Sequence, residues 1–175
     1  MAFNLNEFAG KLTRGGARAS LFEVRLESPF GEDIKDIAPF MVKAAEIPAS
    51  SVSAIEVPYF GRKVKMAGDR TFADWTVTII NDEDFKIRAA MEEWSNAINN
   101  HQANLNTAGA SPVDYKVQAQ VVQYSKEGNI IRTYNFNGLF PTEVSNITLA
   151  WDAAADPEEF TVTFAYDWWN SASTT

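Results

Sequence analysis

The chain has 175 residues, of which 46% are hydrophobic and 22% charged, so its composition is that of a globular domain with a full core. It has no cysteine and one histidine, which excludes disulfides, thiolate chemistry and any site that needs two imidazoles. The formal charge of −8 disfavours non-specific attraction to nucleic acid, and it is uneven: residues 1–70 carry a net +1 and residues 71–175 a net −9.

The N-terminal part is predicted to be an arm followed by a strand. Residues 1–19 contain Gly15-Gly16, which indicates an arm or short helix before a flexible joint. No segment reaches the roughly 20 apolar residues of a membrane span, and the start lacks a signal-peptide pattern, so we expect a cytoplasmic protein. Phe22, Val24 and Leu26 alternate with charged residues and predict a half-buried strand; a second strand is predicted at residues 40–46.

A long projecting hairpin or loop is predicted over residues 47–70. Pro58 interrupts the first arm of this segment, Gly61 allows a turn, and residues 62–66 alternate basic with apolar. The basic cluster lies beside two aromatic residues, a combination that also occurs in nucleic-acid contacts. The acidic remainder of the chain favours a solvated hairpin or a protein contact instead.

The next predicted elements are a strand at residues 75–80 and a helix at residues 83–98. The helix has one apolar stripe, formed by Ile87, Met91, Trp94 and Ile98. The acidic run at residues 82–84 is expected in its first turn, where the helix dipole favours negative charge. The same oxygens are also of the type that binds a divalent cation.

The C-terminal half is predicted to be mostly strand. Residues 115–125 and 129–136 form a hairpin, a short strand follows at residues 143–149, and residues 160–168 place Phe160, Val162, Phe164, Tyr166 and Trp168 on one face. Residues 171–175 are predicted to be a disordered tail. The fold class is therefore β-rich α+β: an antiparallel β-sandwich or barrel of about seven to eight strands with one flanking helix, over residues 20–170.

The sequence offers no catalytic, cofactor or metal site. His101 lies in a polar loop, where a general base would need a hydrogen-bonding partner, and a solvent-exposed loop residue is the simpler interpretation. Gly15-Gly16 lacks the surrounding residues of a phosphate-binding loop. We therefore expect no enzyme activity and no cofactor.

Four ordered stretches resemble the tail tube proteins of contractile-tailed bacteriophages. They are KAAEIPAS at residues 43–50, IEVPYFGR at 55–62, AGDRTF at 67–72 and WTVTIINDEDF at 75–85, with weaker continuation at 115–123 and 160–168. The resemblance implies a β-barrel-like subunit, six copies of which close into a ring. The rings stack into a hollow tube that the sheath surrounds and through which DNA passes as a transient passenger.

The resemblance also implies the setting of the protein. Its partners would be other copies of itself, the tail sheath protein, the tape-measure protein, the baseplate hub and the tail terminator, with no membrane insertion. The protein would lie in the virion tail after assembly in the host cytoplasm. The ring protein of type VI secretion is similar in fold, so a ring or tube protein of a related contractile injection system is the alternative. A small-ligand carrier or enzyme on a β-barrel is the remaining class, and it would be a monomer with an enclosed pocket.

Two sets of functional residues follow as expectations. The projecting segment would contact the next ring, its basic side chains facing an acidic rim. The candidates for this contact are Glu46, Tyr59, Phe60, Arg62, Lys63, Lys65, Asp69 and Arg70. A conduit for DNA should have a net-negative lumen, because basic side chains would retain phosphates. The candidates for the lumen are Thr76, Thr78, Thr161, Thr163 and Asp167.

Overall fold

The computed structural model describes residues 4–12, 15–109, 111–151 and 157–174. Three α-helices lie in these ranges: α1 (Leu5–Lys11), α2 (Ala38–Met41) and α3 (Lys86–Ile98). The strands are β1 (Phe22–Leu26), β2 (Val42–Ala45), β3 (Ser50–Tyr59), β4 (Arg62–Phe72), β5 (Trp75–Ile80), β6 (Val117–Tyr124), β7 (Ile130–Val144), β8 (Glu159–Ala165) and β9 (Trp168–Ser171).

Seven of these strands form one antiparallel sheet, in the order β1-β6-β7-β8-β5-β2, with β9 paired to β7 beside this path. The edge strands β1 and β2 approach each other, and α2 contacts both of them. The sheet therefore curls toward a barrel, as expected for a β-rich α+β chain, and the predicted fold class is confirmed. The remaining two strands, β3 and β4, pair only with each other and form a separate hairpin.

The core is built from strand residues that alternate inward and from one face of α3. On β5 and β8 every second residue is buried, and these residues contact aromatic side chains of β7 and α3. Trp75 stacks on Phe136 with ring centroids 4.4 Å apart, and Trp94 of α3 lies 6.3 Å from the ring of Phe164. The predicted stripe of α3 is confirmed, since Ile87, Met91 and Trp94 are buried and Ile98 packs against the core.

The predicted start of the long helix is wrong by three residues. Phe85 has φ +54°, a left-handed conformation that a right-handed helix does not continue through, so α3 begins at Lys86. The acidic residues 82–84 form a turn before the helix, closed by the Phe85 N–H donating to the Asp82 carbonyl at 3.1 Å. They lie outside its first turn, which contains no acidic residue.

Strand β7 replaces two predicted elements. Its 15 residues run through the segment that was expected to separate one strand at 129–136 from another at 143–149. Gly138, at φ +70°, allows the backbone to bend without ending the strand. Pro141, which has no N–H to donate, lies where the register with β8 shifts. The first half of β7 therefore pairs with β6 and β9, and the second half with β8.

Three further predictions differ from the structure. Residues 38–41 form α2, so the strand expected at residues 40–46 is shortened to β2. The stripe expected over residues 160–168 breaks at Tyr166-Asp167, and Trp168 in β9 is 46% exposed rather than part of the core. The expected disordered tail is ordered through Thr174: Ser171 is buried, and Arg132 donates hydrogen bonds to Ser171 and Ser173; Thr175 lies outside the described residues.

Two features are absent from the described residues. Their helices include none with both the length and the apolar composition to cross a membrane. They include no group of three or more His, Asp or Glu side chains placed to hold a metal ion.

Candidate assembly surfaces

The hairpin β3–β4 leaves the end of the sheet at which β5 begins. Its root is held by three hydrogen bonds. The Trp75 indole N–H donates to the Glu46 carbonyl at 2.7 Å, and the Ala73 N–H donates to the Ala49 carbonyl at 3.1 Å. The Tyr166 hydroxyl donates to the Ala73 carbonyl at 2.6 Å. Burial raises the pKa of Tyr166 to about 12, so its hydroxyl stays protonated and remains a donor. The root is therefore fixed to the barrel.

The hairpin ends in a two-residue turn formed by Phe60 and Gly61. Both residues have positive φ, +42° and +81°, which is the backbone of the turns that close tight hairpins. Phe60 is 92% exposed, and its ring contacts only the edge of the neighbouring Tyr59 ring among the aromatic contacts of the described residues. Ten residues of strand extend about 30 Å, so the tip stands far from the barrel.

The two faces of the hairpin differ in chemistry. Cross-strand pairs Ile55–Met66 and Val57–Val64 lie on one face, and all four side chains are about half exposed. We call this the apolar face. The alternate pairs, Ala54–Ala67, Glu56–Lys65 and Pro58–Lys63, lie on the opposite, charged face. A two-stranded sheet with an uncovered apolar face is at best marginally stable in water, so this face indicates a contact with another protein surface.

The charged face contains one internal ion pair. Lys63 Nζ lies 2.7 Å from Glu56 Oε2, so the charge of Lys63 is partly compensated within its own hairpin. In the part of the chain that the structure describes, Arg62, Lys65 and Arg70 form no ion pair. These three cations are the ones available to a partner.

The predicted contact residues spread over the whole hairpin rather than forming one cluster. Tyr59, Phe60 and Arg62 lie at or beside the tip, whereas Glu46 lies below the root. Asp69 and Arg70 lie near a bulge, where Gly68 leaves room for the Ser53 side chain: a Cβ at Gly68 would lie 2.5 Å from Ser53 Oγ. Sequence reasoning missed the apolar face, although the alternation of Ile55, Val57, Val64 and Met66 with charged residues was a readable signal.

Four of the five lumen candidates come together on one surface. Thr76 pairs with Thr163 and Thr78 with Thr161 across β5 and β8, on the face opposite the core. The two hydroxyls of the first pair are 3.5 Å apart. Asp167 does not belong to this surface: it lies between β8 and β9, and its carboxylate contacts Lys116 Nζ at 2.7 Å.

A second polar surface lies on β1 and β6, where Arg25 Nε donates to Glu23 at 2.6 Å and the Tyr124 hydroxyl donates to the same carboxylate. These hydrogen bonds, that from Arg25 first, hold the pKa of Glu23 below its ordinary value. His101 is exposed, with no side-chain hydrogen bond or ion pair within the described ranges. Neither place combines a nucleophile, a base and an enclosed pocket.

Comparison with known proteins identifies the family. The sequence model of the phage tail tube protein family matches residues 5–172. The chain is 38% identical over 154 residues to tail tube protein gp19 of Enterobacteria phage T4, an alignment that covers 87% of this chain and 90% of that one. It is 26% identical over 168 residues to the tail tube protein of Serratia phage KSP90, covering 93% of both chains.

Solved structures of similar fold come from contractile injection systems. A chain of the sheath–tube complex of the PVC extracellular contractile injection system superposes with a TM-score of 0.62 at 15% identity, covering 97% of this chain and 98% of that one. A chain of the anti-feeding prophage cap gives a TM-score of 0.65 at 19% identity, covering 89% of each. At these identities the likeness concerns the fold alone.

Proposed function

The chain belongs to the phage tail tube protein family, a structural component of the virion tail and not an enzyme, and from that premise we propose that six copies close into a ring and that rings stack head to tail into the hollow inner tube of a contractile tail. A closed ring would pair or cover the outer edges of β1 and β2, which have no strand partner among the described residues and would otherwise invite non-specific association. Stacking is a heterologous contact that does not close, so it produces a filament.

The observation that supports stacking best is the hairpin β3–β4. It projects from one end of the barrel, exposes an apolar face and pairs with no other strand among the described residues. Covering this face requires a second protein surface, and the next ring is the surface that a head-to-tail tube supplies for every subunit. Negative-stain electron microscopy of the purified protein tests the proposal: hollow tubes are expected, and a protein that stays monomeric at all salt and protein concentrations contradicts it.

The cations of the hairpin contribute a second, electrostatic part to stacking. Reversing Lys63 and Lys65 to Glu should slow tube growth and leave the fold intact, because both side chains are exposed. The effect should be larger at about 50 mM than at about 500 mM salt, where exposed charges are screened. If neither the substitution nor the salt concentration changes the rate of tube growth, electrostatic attraction does not contribute to the contact.

We also propose that the threonine surface of β5 and β8 lines the lumen. The threonines are polar and uncharged, and Glu143 is the cross-strand neighbour of Thr163. The cation at the margin of this surface, Lys43, is already paired with Glu159, so phosphates would be retained only weakly there. Asp167 remains a candidate at the margin, with its charge offset by Lys116.

Substitution of a wall residue by lysine tests the lumen proposal. Thr161→Lys should leave tubes intact and slow DNA delivery, measured as the rate of DNA release from assembled particles. Gln118→Lys, on the exposed outer face of β6, is the matched control and should not change this rate. A slower rate in the control alone would place the lumen on β1 and β6 instead.

The remaining partners follow from the place of a tube in a contractile tail. We propose contacts with the tail sheath protein on the outside, the tape-measure protein inside, and the baseplate hub and tail terminator at the two ends. Assembly would take place in the host cytoplasm. Pull-down of each partner by preformed tubes, compared with the monomer, tests these contacts one at a time.

A further inference from the structure

We infer that the C-terminal segment, residues 168–174, acts as a brace that sets the direction of the hairpin β3–β4, and that Arg132 is the positioning residue that holds this brace in place. The part of this inference that concerns assembly rests on the proposed stacking. The brace consists of β9 and of the turn that follows it, in which the Thr174 N–H donates to the Ser171 carbonyl at 2.8 Å.

The hairpin requires a lateral support because its tip stands about 30 Å from its root. A rotation of about 10° at the root would displace a tip at that distance by about 5 Å. The hydrogen bonds at the root hold the backbone at Glu46, Ala49 and Ala73, which fixes where the hairpin begins. Its direction then depends on the side chains that pack beside the strands.

Phe72, the last residue of β4, is where the hairpin packs against the barrel. Its ring centroid lies 6.3 Å from that of Trp169 in the brace and 6.1 Å from that of Tyr166. The rings of Tyr59 and Phe60 contact each other at the tip instead. Because Trp169 also packs against the core, it connects the hairpin to the barrel through side chains.

A groove of about 430 Å³ lies between the brace and the root of the hairpin. It is lined by Arg70 and Phe72 of β4 and, from the brace, by residues 168–170 and Thr174. The hairpin therefore has space beside it into which it can turn. Only the contacts of the brace with Phe72 oppose that movement on this side of the hairpin.

Arg132 of β7 fastens the brace. Its Nη2 donates to Ser171 Oγ at 2.9 Å and to Ser173 Oγ, and its guanidinium carbon lies 5.3 Å from the centre of the Tyr134 ring. The Tyr134 ring in turn lies 5.7 Å from that of Trp169. One guanidinium group therefore fixes the end of the brace and, through a second ring, the indole that packs on the hairpin.

Two unpaired donors indicate that this cluster does more than stabilise the barrel. Arg132 Nε and Trp169 Nε1 are buried and have no hydrogen-bond acceptor within the described residues. A buried donor without an acceptor lowers the stability of a fold, whereas an apolar side chain of similar size avoids that loss. Arginine and tryptophan at these two positions are therefore better explained by what they position than by stability alone.

A braced hairpin is preorganised for stacking. A hairpin that samples many directions must be ordered when another copy binds, and this ordering raises the critical concentration for tube growth. Loss of the Arg132 hydrogen bonds should therefore weaken stacking even though the apolar face and the cations of the hairpin are unchanged.

Spin labels test the brace without assembly, since the chain has no cysteine of its own. Labels on Phe60→Cys at the tip and on Gln118→Cys on β6 report the distance between hairpin and barrel in the unassembled subunit. Adding Arg132→Met should widen the distribution of this distance about twofold. Ser173→Ala, which removes one exposed acceptor and leaves the core intact, should also widen it. A distribution that neither substitution changes would overturn the inference.

Arg88→Met is the matched control. Arg88 also lies over an aromatic ring, 5.1 Å from the centre of Phe160, and it donates to the Ser145 carbonyl at 2.7 Å. Its replacement should lower the melting temperature about as much as Arg132→Met and leave the label distances unchanged. Equal widening in both variants would mean that the hairpin responds to any loss of stability, and Arg132 would then have no positioning role.

Tube growth tests the part that concerns assembly. Arg132→Met should raise the critical concentration about tenfold, and Arg88→Met should leave it unchanged. If the unsubstituted protein forms no tubes, the proposed function fails, while the label distances still decide whether the brace sets the direction of the hairpin. If tubes form and Arg132→Met has the critical concentration of Arg88→Met, stacking stands and the brace has no part in it.

Discussion

Replacement of two valines on the apolar face gives the sharpest test of stacking. Val57 and Val64 are cross-strand neighbours, and the double variant Val57→Thr/Val64→Thr keeps their size, their branching and the strand preference of the hairpin. It adds two hydroxyl groups to a surface that is to be covered by another copy. Threonine in that place loses the free energy that burying the valine methyl group would provide.

The size of the effect follows from exposure. Complete burial of a valine side chain contributes about 1.5 kcal/mol. Val57 is 43% and Val64 54% exposed in the free subunit, so about half of that gain is still available in each, or about 1.5 kcal/mol per hairpin. Each subunit carries one hairpin, so this is also the free energy lost per subunit that joins the tube. A loss of about 1.5 kcal/mol raises the critical concentration about tenfold, an upper limit because ordering costs and imperfect contact reduce it.

The assay is the critical concentration, measured by sedimentation and by light scattering, together with the melting temperature of the unassembled subunit. The critical concentration should rise up to about tenfold, while the melting temperature stays nearly unchanged because both side chains are about half exposed in the monomer. Ala54→Thr/Ala67→Thr places the same two threonines on the charged face and should assemble normally. Equal critical concentrations for the two double variants would refute the role of the apolar face.

Three further predictions concern the barrel. Gly138→Ala puts an alanine in a left-handed conformation, at a cost of about 1–2 kcal/mol, and places its Cβ 2.1 Å from an Asp167 carboxylate oxygen. Its urea midpoint should fall further than that of Gly128→Ala, because Gly128 also has positive φ, +81°, but has no atom within 4 Å of the added Cβ. The pKa of Tyr166 is about 12 in the fold against 10.0 in the unfolded chain, so its contribution to stability is complete below pH 10 and is lost as the pH rises toward 12. Thermal melts across this range should show a melting temperature that falls as the pH rises, and Tyr166→Phe should remove that fall. The pKa of Glu23 is lowered chiefly by its hydrogen bond from Arg25, so the contribution of Glu23 to stability is present above the ordinary carboxyl pKa and is lost as the pH falls. With Arg25→Gln, the free energy of unfolding should therefore fall less steeply as the pH is lowered.

Much of the barrel was predictable because its signals are local. The alternation in β5 and β8 and the stripe of α3 are each set by which side chains avoid water, and the structure places those side chains in the core. The errors occur where the backbone conformation of a single residue decides where a helix or strand begins or ends. Phe85 delays α3 by adopting a left-handed conformation that no hydrophobic pattern reveals, and Gly138 lets β7 continue where two separate strands were expected.

The candidate surfaces divide in the same way. The basic residues of the hairpin and the threonines of β5 and β8 were visible along the chain, as was the family resemblance. The apolar face could not be recognised as uncovered, because alternating apolar residues predict a strand packed on a core and not one that projects alone. The two cases are distinguished by the sheet topology, in which β3 and β4 pair with no other strand of the described residues.

The sequence by itself determined the β-rich class, the family resemblance and the uneven charge, since each depends on residue types and their order. The tertiary structure decided where those charges lie. It places the cations on a hairpin at one end of β5 and a group of carboxylates, Asp82, Glu83, Asp84, Glu158 and Glu159, at the other. Strand direction and register create this polarity, and composition cannot express it. The charged surfaces therefore lie at opposite ends of the subunit, and a subunit with two unlike ends is what a head-to-tail filament requires.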